Sequence, residues 1–529
     1  MPTLHWIGKE KVINHHQEVP YRVLQKQYEF NTDSDPSENK IIQGDNLEAL
    51  KSLLPEYEGR VNCIYIDPPY NTGNENWVYN DNVNHPKIKK WLGEIVGKEG
   101  EDLSRHDKWL CMMYPRLRLL HKLLNDNGVI FISIDEFEHD YLHLIMDEIF
   151  GRSNRIETFV WKKTYGGGAK SKHVVNLHEY ILFYAKDIGR IGSIDLPPDE
   201  SVLKYYKYQD EKFQKRGPYR LQPLATTSMD DRPNLVYPIF HNGNEIWPNK
   251  QWQWSKDRVE KALVDNDLSI EFNAKKSSWT VNYKQYLKDE EGNVRGKKMY
   301  SILEGIYTQV GTNRLNEIFG KKIFNFPKPV ELVQLLFQSI KSPNSIILDS
   351  FAGSGTTAHA VLNLNKEDGG NRKFILIEME DYADSITAER VKRVIQGYGS
   401  GTKAVEGTGG DFGFYDLGPA LFDADGNLNE DVSLPDILSY IWYSETRTKW
   451  TPPVDHADRY YLGKLDDTAY YFIYEPDSLT TLDFESLSAW VTQPAEQYIC
   501  YADNCLLPEA LMQKHRIIFK KIPRDITRF

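Results

Sequence analysis

Apolar and polar positions alternate along the chain in two recurring ways, which predict strands and helices in turn. Short apolar runs are typical of buried strands, whereas apolar residues three and four positions apart, such as Leu47, Leu50 and Leu54, indicate amphipathic helices. Because the two patterns follow one another, they predict a largely parallel sheet that is covered on both faces. The predicted strands are KIIQ, RVNCIYI, VIFISI, ETFVWKK and LHEYILFYAK, and the predicted helices lie in GDNLEALKSLL, DKWLCMMYPRLRLLHKLLNDNG and EFEHDYLHLIMDEIFG.

The alternation stops from about residue 189 to residue 308, and we interpret this stretch as an inserted domain. It resumes with the helix VELVQLLFQSI, the strand SIILD, the helix TTAHAVLNLN and the strand RKFILIEM. A glycine-rich link then leads to a C-terminal domain, predicted to be α/β or β-rich, in which the runs ILSYIWY and YYFIYE predict strands. The resulting segments are an N-terminal arm (1–39), one half of the sheet domain (40–188), the inserted domain (189–308), the other half (309–400) and the C-terminal domain (412–529).

Composition narrows the class of protein. A chain of 529 residues is too long for a single hydrophobic core, and 40% hydrophobic with 26% charged residues is typical of a globular protein. No apolar run approaches the roughly 20 residues of a membrane span, and the N-terminus lacks the apolar core of a secretory signal, so we expect a cytoplasmic protein. The four cysteines form no C-x-x-C pair, which argues against a disulfide framework and against a structural metal site.

Charge is unevenly distributed along the chain. The net charge of −12 argues against indiscriminate coating of nucleic acid, yet residues 151–310 contain 26 Lys and Arg against 20 Asp and Glu. The last 129 residues contain 11 against 21, which makes them a poor DNA binder and favours a protein interface or a plain stability domain. The inserted domain is rich in Trp, Tyr, Asn, Gln and Arg, which reach base edges or phosphates, although we expect any single Trp there to be a core residue.

A glycine turn in SFAGSGTTAHA connects a predicted strand to a predicted helix. Gly353 and Gly355 let the backbone approach a ligand closely, and free N–H groups at a helix start hold anions. No lysine follows Gly355 and the third glycine of a dinucleotide fingerprint is missing, which disfavours a nucleoside triphosphate and NAD. Glu378, at the end of the next strand, is where the hydroxyls of a ribose are held. The pair predicts S-adenosylmethionine, and a tight turn without a ligand is the alternative.

Asp67, Pro68, Pro69 and Tyr70 directly follow an apolar strand. Asp67 offers carboxylate oxygens, Pro68 offers a carbonyl whose direction the next proline restricts, and Tyr70 offers a flat ring. This set suits an amino group on a flat base: two acceptors on its hydrogens draw the nitrogen towards a tetrahedral geometry with a usable lone pair. Direct transfer of a sulfonium methyl group then depends on positioning and preorganised dipoles, and a base in a duplex has to be flipped out to reach the site. A stiff turn without catalytic function is the alternative.

Four motifs resemble those of amino-group DNA methyltransferases. They are GDNLEAL (44–50), DPPYNTG (67–73), FPKP (326–329) and LDSFAGSGTTAHAV (348–361). Their order, with Asp-Pro-Pro-Tyr well before the glycine turn, is similar to the permuted β class. The segments LHWIGKEKV, HEYILFYAK, GTNRLNEIFG and the inserted domain are similar to the modification subunit of type III restriction-modification systems.

The resemblance implies a Rossmann-like S-adenosylmethionine-dependent methyltransferase sheet in which the turns after Asp67 and Asp349 share one cleft. It implies that Glu378 holds the ribose and that Lys328 and Pro329 lie near the methionine end of the cofactor. The full set of implied cofactor-binding residues is Asp45, Lys328, Pro329, Asp349, Phe351, Gly353, Ser354, Gly355, Thr356 and Glu378. An aspartate before Pro-Pro-Tyr is similar to adenine-N6 enzymes more than to cytosine-N4 enzymes, which stay an alternative.

The resemblance also implies partners: double-stranded DNA bound by the inserted domain, a second copy of the chain, and a helicase-nuclease subunit. The loop TYGGGAKSKH either lies over DNA or is a solvated loop without function. Two other classes stay open, namely a DNA-recognition scaffold that mainly recruits a nuclease and an RNA methyltransferase. The intact catalytic tetrapeptide, glycine turn and Glu378 favour the enzyme over the scaffold.

Overall fold

The computed structural model describes residues 3–31, 37–71, 105–166, 173–227, 230–274, 277–340, 342–453 and 459–529. These residues form two compact units. The main unit comprises Met1–Ser193 and Tyr300–Phe529, and the smaller unit, Ile194–Met299, falls within the stretch that we interpreted as an inserted domain. Within the described residues, no helix combines the length and the apolar character that crossing a membrane requires.

A ten-stranded mixed sheet forms the centre of the main unit. Six neighbouring strands in its middle run parallel, as the alternating pattern predicts, whereas antiparallel pairings occur towards both edges. The spatial order of the strands is Arg22–Phe30, Phe412–Ala420, Lys40–Gln43, Lys373–Glu378, Ile346–Asp349, Val61–Ile66, Leu124–Ile134, His178–Ala185, Arg155–Lys162 and Ile302–Leu303.

Helices bury their apolar faces against this sheet and against one another. The helix Asn46–Tyr57, for example, buries Leu47, Leu50 and Leu54, the residues whose spacing predicted it. The helices of the main unit are Lys9–Val12, His15–Glu18, Asn46–Tyr57, Arg105–Leu123, His139–Met146, Thr308–Phe319, Val330–Gln338, Thr356–Asp368, Glu389–Gln396, Leu434–Thr446, Phe484–Trp490 and Glu509–Lys514, with π-helical turns at Asp147–Gly151 and Ala383–Ala388.

One predicted boundary and one predicted strand are wrong. The long helix ends at Leu123 and not at Asn127-Gly128, because the strand Leu124–Ile134 already begins there, with Leu124 paired to Val61. The run ILSYIWY lies in the helix Leu434–Thr446 and not in a strand. Ser433 caps this helix by accepting the N–H of Asp436, and a proline occupies its first turn. Both are typical of a helix start, but the prediction followed the apolar run alone.

The C-terminal residues contribute to the main sheet before they form a small sheet of their own. The strand Phe412–Ala420 lies between Arg22–Phe30 and Lys40–Gln43, so the start of the predicted C-terminal domain and the end of the predicted N-terminal arm share this sheet. Further on, a four-stranded sheet contains Tyr461–Leu465, Thr468–Phe472, Gln497–Ala502 and Ile517–Lys521, and a two-stranded pair joins Thr481–Leu482 to Asn504–Cys505. Another two-stranded pair, Gly397–Tyr398 with Val405–Glu406, precedes the strand Phe412–Ala420.

The smaller unit is built from short strands around a core of its own. Trp252 is buried in that core and Trp254 packs against it, whereas Trp247 is exposed. Its strands are Tyr219–Pro223, Ala225–Thr226, Ile239–His241, Asn244–Ile246, Gln251–Trp252, Leu268–Asn273 and Ser278–Tyr286, and its helices are Glu200–Leu203, Phe213–Arg216 and Lys256–Val264.

Candidate active site

Three strands with acidic ends lie side by side in the main sheet. We call Val61–Ile66 the Asp67 strand, Ile346–Asp349 the Asp349 strand and Lys373–Glu378 the Glu378 strand. The first two are parallel neighbours, with Leu348 opposite Ile64, and the Glu378 strand flanks the second on its other side. Since parallel strands end at the same edge of a sheet, the turns that follow Asp67 and Asp349 lie next to each other.

Side chains from distant parts of the chain hold the tetrapeptide Asp67–Tyr70. The Nζ atom of Lys328 donates to Oδ1 of Asp67 at 3.0 Å and to the hydroxyl of Tyr70 at 2.5 Å. The Tyr70 hydroxyl in turn donates to Oε2 of Glu179 at 3.1 Å, and Nζ of Lys328 lies 3.2 Å from the same oxygen. Three chain segments therefore meet at one lysine ammonium.

The backbone of the tetrapeptide is also fixed. The indole N–H of Trp109 donates to the carbonyl of Pro69 at 2.6 Å, which leaves the Pro68 carbonyl as the one predicted to accept an amine. Tyr70 is buried, with Nζ of Lys328 4.7 Å from the centre of its ring, and its stacking on a base stays a prediction. Residues 72 and 73 of the motif DPPYNTG lie outside the described residues.

Burial and opposite charges compete in this cluster. Burial raises the pKa of Asp67, and Lys328 counteracts only part of the rise. Burial acts in the same sense on Glu179, but Lys328 and Lys163 outweigh it, so the pKa of Glu179 lies below its usual value. Burial alone would lower the pKa of Lys328, yet Asp67 and Glu179 outweigh that effect and raise it. Lys328 thus lies between the carboxylates of Asp67 and Glu179, and Lys163 pairs with Glu179 from outside at 3.1 Å.

The glycine turn is bonded to the end of the Glu378 strand. The N–H of Gly353 donates to Oε2 of Glu378 at 2.7 Å, and the N–H of Glu380 donates to its other oxygen at 3.0 Å. Gly355 has a φ of +80° and precedes the helix Thr356–Asp368, and a Cβ atom there would lie 3.1 Å from the carbonyl oxygen of Thr387. Only glycine therefore fits this position without strain or displacement.

Two buried carboxyl groups on this side of the site form no ion pair with any cation among the described residues. Burial raises the pKa of Asp349 to about 7, although it accepts the N–H of Phe351 and the hydroxyl of Thr357, and Asp67 adds to the rise. Burial likewise raises the pKa of Glu378 to about 7 against its backbone hydrogen bonds. Among the described residues, no cation is one of the main causes of either shift. A ligand that carries hydroxyl donors and positive charge fits this pair of acids.

Ser354 and Thr356, two of the implied cofactor-binding residues, have their side chains bonded to a buried arginine. One nitrogen of Arg390 donates to Oγ of Ser354 at 2.8 Å and to Oγ1 of Thr356 at 2.9 Å. Arg390 itself is fully buried on the helix Glu389–Gln396. These hydroxyls therefore connect the glycine turn to the helix Glu389–Gln396.

Asp45 lies at the end of the strand that pairs with the Glu378 strand, with Gln43 opposite Glu378. Its Oδ1 accepts the N–H groups of Leu47 and Glu48, so it caps the helix Asn46–Tyr57. The adjacent Asn46 donates from Nδ2 to the carbonyl of Ser350 at 3.2 Å. The turn 44–46 is thus connected to the turn that follows Asp349.

The remaining implied cofactor-binding residues occupy different places. Phe351 is partly exposed on the glycine turn, and Pro329 is buried at the start of the helix Val330–Gln338. The side chain of Lys328, as described above, contacts Asp67 and Tyr70, while its backbone carbonyl accepts the hydroxyl of Thr356 at 3.3 Å. Lys328 therefore lies between the tetrapeptide Asp67–Tyr70 and the glycine turn.

Sequence reasoning missed Glu179, Trp109 and Arg390. Glu179 begins an apolar strand, and only its place beside the strand Leu124–Ile134 brings it to Tyr70. Arg390 could have been noticed, because a 3.6-residue period places it on the same helical face as Val394, where arginine is unusual. The loop TYGGGAKSKH, for which a place over DNA and a solvated loop without function both stay open, spans residues 164–173, of which 167–172 lie outside the described residues.

Family comparison agrees with the motifs at this site. A sequence model described as DNA methylase, covering N6 and N4 enzymes, matches residues 61–389. The chain therefore belongs to the N6/N4 DNA methylase family. Two of its solved structural neighbours are the M1.HpyAVI complex with S-adenosylmethionine (14% identity, TM-score 0.33, 66% of this chain and 98% of that one) and the cytosine-N4-specific PvuII DNA methyltransferase (13%, 0.34, 67% and 87%).

Several curated relatives are Mod subunits of type III restriction-modification enzymes. The chain is 32% identical over 416 residues to the StyLTI Mod subunit, part of a type III restriction-modification enzyme of Salmonella typhimurium, with 74% of this chain and 62% of that protein aligned. It is 32% identical over 387 residues to the type II methyltransferase M.KpnI of Klebsiella pneumoniae, with 67% and 85% aligned. It covers 64% of the EcoPI Mod subunit of Escherichia phage P1. The chain thus spans less than two thirds of these two type III subunits.

Proposed function

We propose that this protein transfers a methyl group from S-adenosylmethionine to the N6 amino group of an adenine that has been flipped out of double-stranded DNA. The observation that supports this proposal most strongly is the adjacency of two turns far apart in sequence. One turn presents Asp67 and Tyr70, and the other presents Gly353 beside Glu378. A methyl donor and a methyl acceptor need to meet at such a junction.

The proposed cofactor binding is supported by Asp349 and Glu378, the two acidic residues next to the glycine turn. Glu378 would accept the ribose hydroxyls, while Gly353 and Gly355 leave room for the ligand against the backbone. Asp349 and Glu378 lack a cation among the described residues, and a positively charged ligand would supply one. When bound, S-adenosylmethionine supplies an electrophilic methyl group to this site.

The amine half of the proposal follows from the tetrapeptide. Asp67 and the Pro68 carbonyl would accept the two hydrogens of the amino group, which turns the nitrogen lone pair towards the methyl donor. That Asp67, Tyr70 and Glu179 already converge on a lysine ammonium supports this role, because an ammonium is a similar N–H donor. Asp67 orients the amine and accepts a hydrogen bond, no covalent link to the protein is required, and the nitrogen that gains the methyl group releases one proton to solvent.

The biological role that we propose is that of a modification and recognition subunit in a type III-like restriction-modification system of a prokaryotic cytoplasm. The similarity to the Mod subunits supports this role. In it, the smaller unit acts as the target-recognition domain, a second copy of the chain completes a dimer, and a helicase-nuclease subunit is the partner. The excess of Lys and Arg in residues 151–310 suits DNA binding by that stretch.

A labelled-cofactor assay tests the proposed reaction. The protein is incubated with S-adenosylmethionine labelled on its methyl group and with mixed plasmid DNA, and the digested nucleosides are identified. We expect labelled N6-methyldeoxyadenosine. Labelled N4-methyldeoxycytidine would refute the adenine assignment and establish the cytosine alternative, whereas label in RNA or no label would contradict DNA methyl transfer altogether. Modified-base sequencing of DNA from a host that expresses the chain then gives the recognition site.

A further inference from the structure

The ammonium of Lys328 uses all three of its hydrogens within the site. Its partners are Asp67 at 3.0 Å, the hydroxyl of Tyr70 at 2.5 Å and Glu179 at 3.2 Å. The side chain is only 8% exposed, and its partners lie on the catalytic tetrapeptide and on the strand His178–Ala185. A buried lysine is costly unless carboxylates surround it, so this arrangement indicates a specific role.

The backbone of the same residue is fixed by the opposite half of the site. The carbonyl of Lys328 accepts the hydroxyl of Thr356, the first residue of the helix that follows the glycine turn. Gly311, in the helix Thr308–Phe319, packs directly against this backbone, since a Cβ atom there would lie 2.4 Å from the carbonyl oxygen of Pro327 and 3.0 Å from that of Lys328. The position of Lys328 along its segment is therefore fixed from both sides.

We propose that Lys328 is a positioning residue for methyl transfer, which fixes the distance between the two halves of the site and keeps Asp67 as an oriented hydrogen-bond acceptor. Its backbone is anchored to the glycine turn, and its side chain is anchored to Asp67 and Tyr70. The resemblance to the methyltransferase family implied a cofactor contact for this residue, whereas its side-chain contacts assign it to the amine half. The inference rests on the proposed function.

The target amine can bind while Lys328 stays in place. A carboxylate has two oxygens with about four acceptor directions, and Lys328 occupies one direction at Oδ1 of Asp67. Glu179 supplies the second negative charge that the ammonium needs, so Asp67 keeps capacity for the base. The lysine therefore complements the base and does not compete with it.

Without Lys328, Asp67 would lose the cation that lowers its pKa. The titratable groups around Asp67 besides Lys328 include Glu179 and Asp349, whose charges raise its pKa, and Tyr70, whose hydrogen bond lowers it, while the ammonium of Lys163 pairs with Glu179 at 3.1 Å. Removing the cation therefore favours the protonated form of Asp67, which donates a hydrogen bond where the amine requires an acceptor. Transfer then needs a higher pH to ionise Asp67.

The test compares Lys328→Met with Lys328→Arg and with a matched control. Lys9→Met is the control, because Lys9 is equally buried at 8%, bonds Glu148 at 2.7 Å and lies 4.9 Å from the ring of Trp6, outside the site. For each variant, the pH profile of kcat, the Kd of S-adenosylmethionine by equilibrium dialysis, and folding by circular dichroism are measured.

For Lys328→Met, we expect kcat at neutral pH to fall at least about tenfold and the acidic limb of the profile to move up by about one pH unit or more. The Kd of S-adenosylmethionine should change less than about threefold. Lys328→Arg keeps the charge, so its acidic limb should stay at the position of the wild-type protein although kcat falls. Lys9→Met should leave the limb in place.

Three results would overturn the proposal. They are an unchanged kcat and limb in Lys328→Met, a loss that lies wholly in the Kd of S-adenosylmethionine, and a limb that moves equally in Lys328→Arg. If Lys328→Met does not fold, Lys328→Arg still tests the proposal, because a kcat at the wild-type level or a displaced limb in that variant would overturn it. If the wild-type protein transfers no methyl group, the proposed function is refuted. If it transfers the methyl group and the Lys328 variants behave like the wild-type protein, only this inference is refuted.

Discussion

The two halves of the site are held by different forces. On the amine side, Asp67 and Tyr70 are fixed by charged side chains, Lys328 and Glu179, that come from remote segments. On the cofactor side, Asp349 and Glu378 are fixed by backbone N–H groups and hydroxyls of the adjacent turns. The amine side therefore carries its own cation, whereas the cofactor side lacks one within the described residues and is suited to a positively charged ligand.

The largest expected effect separates the two sides. Asp67→Ala removes the acceptor of the amine while the glycine turn keeps its hydrogen bonds to Glu378. We expect kcat to fall about 10³-fold, since an acceptor that acts on the reacting group is lost, and the Kd of S-adenosylmethionine to change less than about threefold. Stopped-flow transfer assays and equilibrium dialysis measure the two quantities. Loss of cofactor binding together with the fold would make Asp67 a structural residue.

A smaller effect is expected on the cofactor side from Gly355→Ala. Gly355 and Gly369 flank the same helix with φ of +80° and +71°, but a Cβ atom at Gly355 meets Thr387, whereas Gly369 has open space around it. Both substitutions should cost about 1–2 kcal/mol of stability from the left-handed backbone. Only Gly355→Ala should also raise the Kd of S-adenosylmethionine, by about tenfold, because Thr387 bonds the carbonyl of Gly353.

Thermal unfolding measures the loss of stability in both glycine variants, and equilibrium dialysis measures their Kd values for S-adenosylmethionine. Equal Kd values for Gly355→Ala and Gly369→Ala would show that the turn tolerates displacement and that the cofactor does not depend on it.

The smallest expected effect is on the pH dependence of stability, through the buried carboxyl group of Glu378. Burial raises the pKa of Glu378 from 4.5 to about 7, so between these values the folded protein holds a proton that the unfolded chain has lost. The stability from this proton is complete below about pH 4.5 and is lost as the pH rises through about 7. In Glu378→Gln without ligand, the free energy of unfolding should therefore decline less steeply, by up to about 1.4 kcal/mol per pH unit.

Urea unfolding of the wild-type protein and Glu378→Gln at several pH values between 4.5 and 7 measures the difference in slope. Parallel pH dependences would mean that Glu378 is ionised in the folded protein and that the cofactor side already contains its counter-charge.

The sequence indicated the contacts around the glycine turn better than the contacts around Asp67, for a physical reason. The glycine turn, its helix and the acid at the next strand end are local features, and each follows from turn and capping chemistry within about 30 residues. The bond between Lys328 and Asp67 spans 261 positions, and Glu179 reaches Tyr70 through an antiparallel pairing. Alternating strands and helices predict the kind of sheet, but they do not fix which strands become neighbours.

The most direct test of the central claim is a structure of the protein with DNA that contains its recognition site and with a non-reactive analogue of S-adenosylmethionine. We expect the target adenine outside the duplex, with its amino nitrogen about 3 Å from Asp67, and the analogue between the glycine turn and Glu378 with its methyl position facing that nitrogen. Lys328 should still contact Asp67. A target base that stays stacked in the duplex, or an analogue bound away from Gly353 and Glu378, would contradict the account.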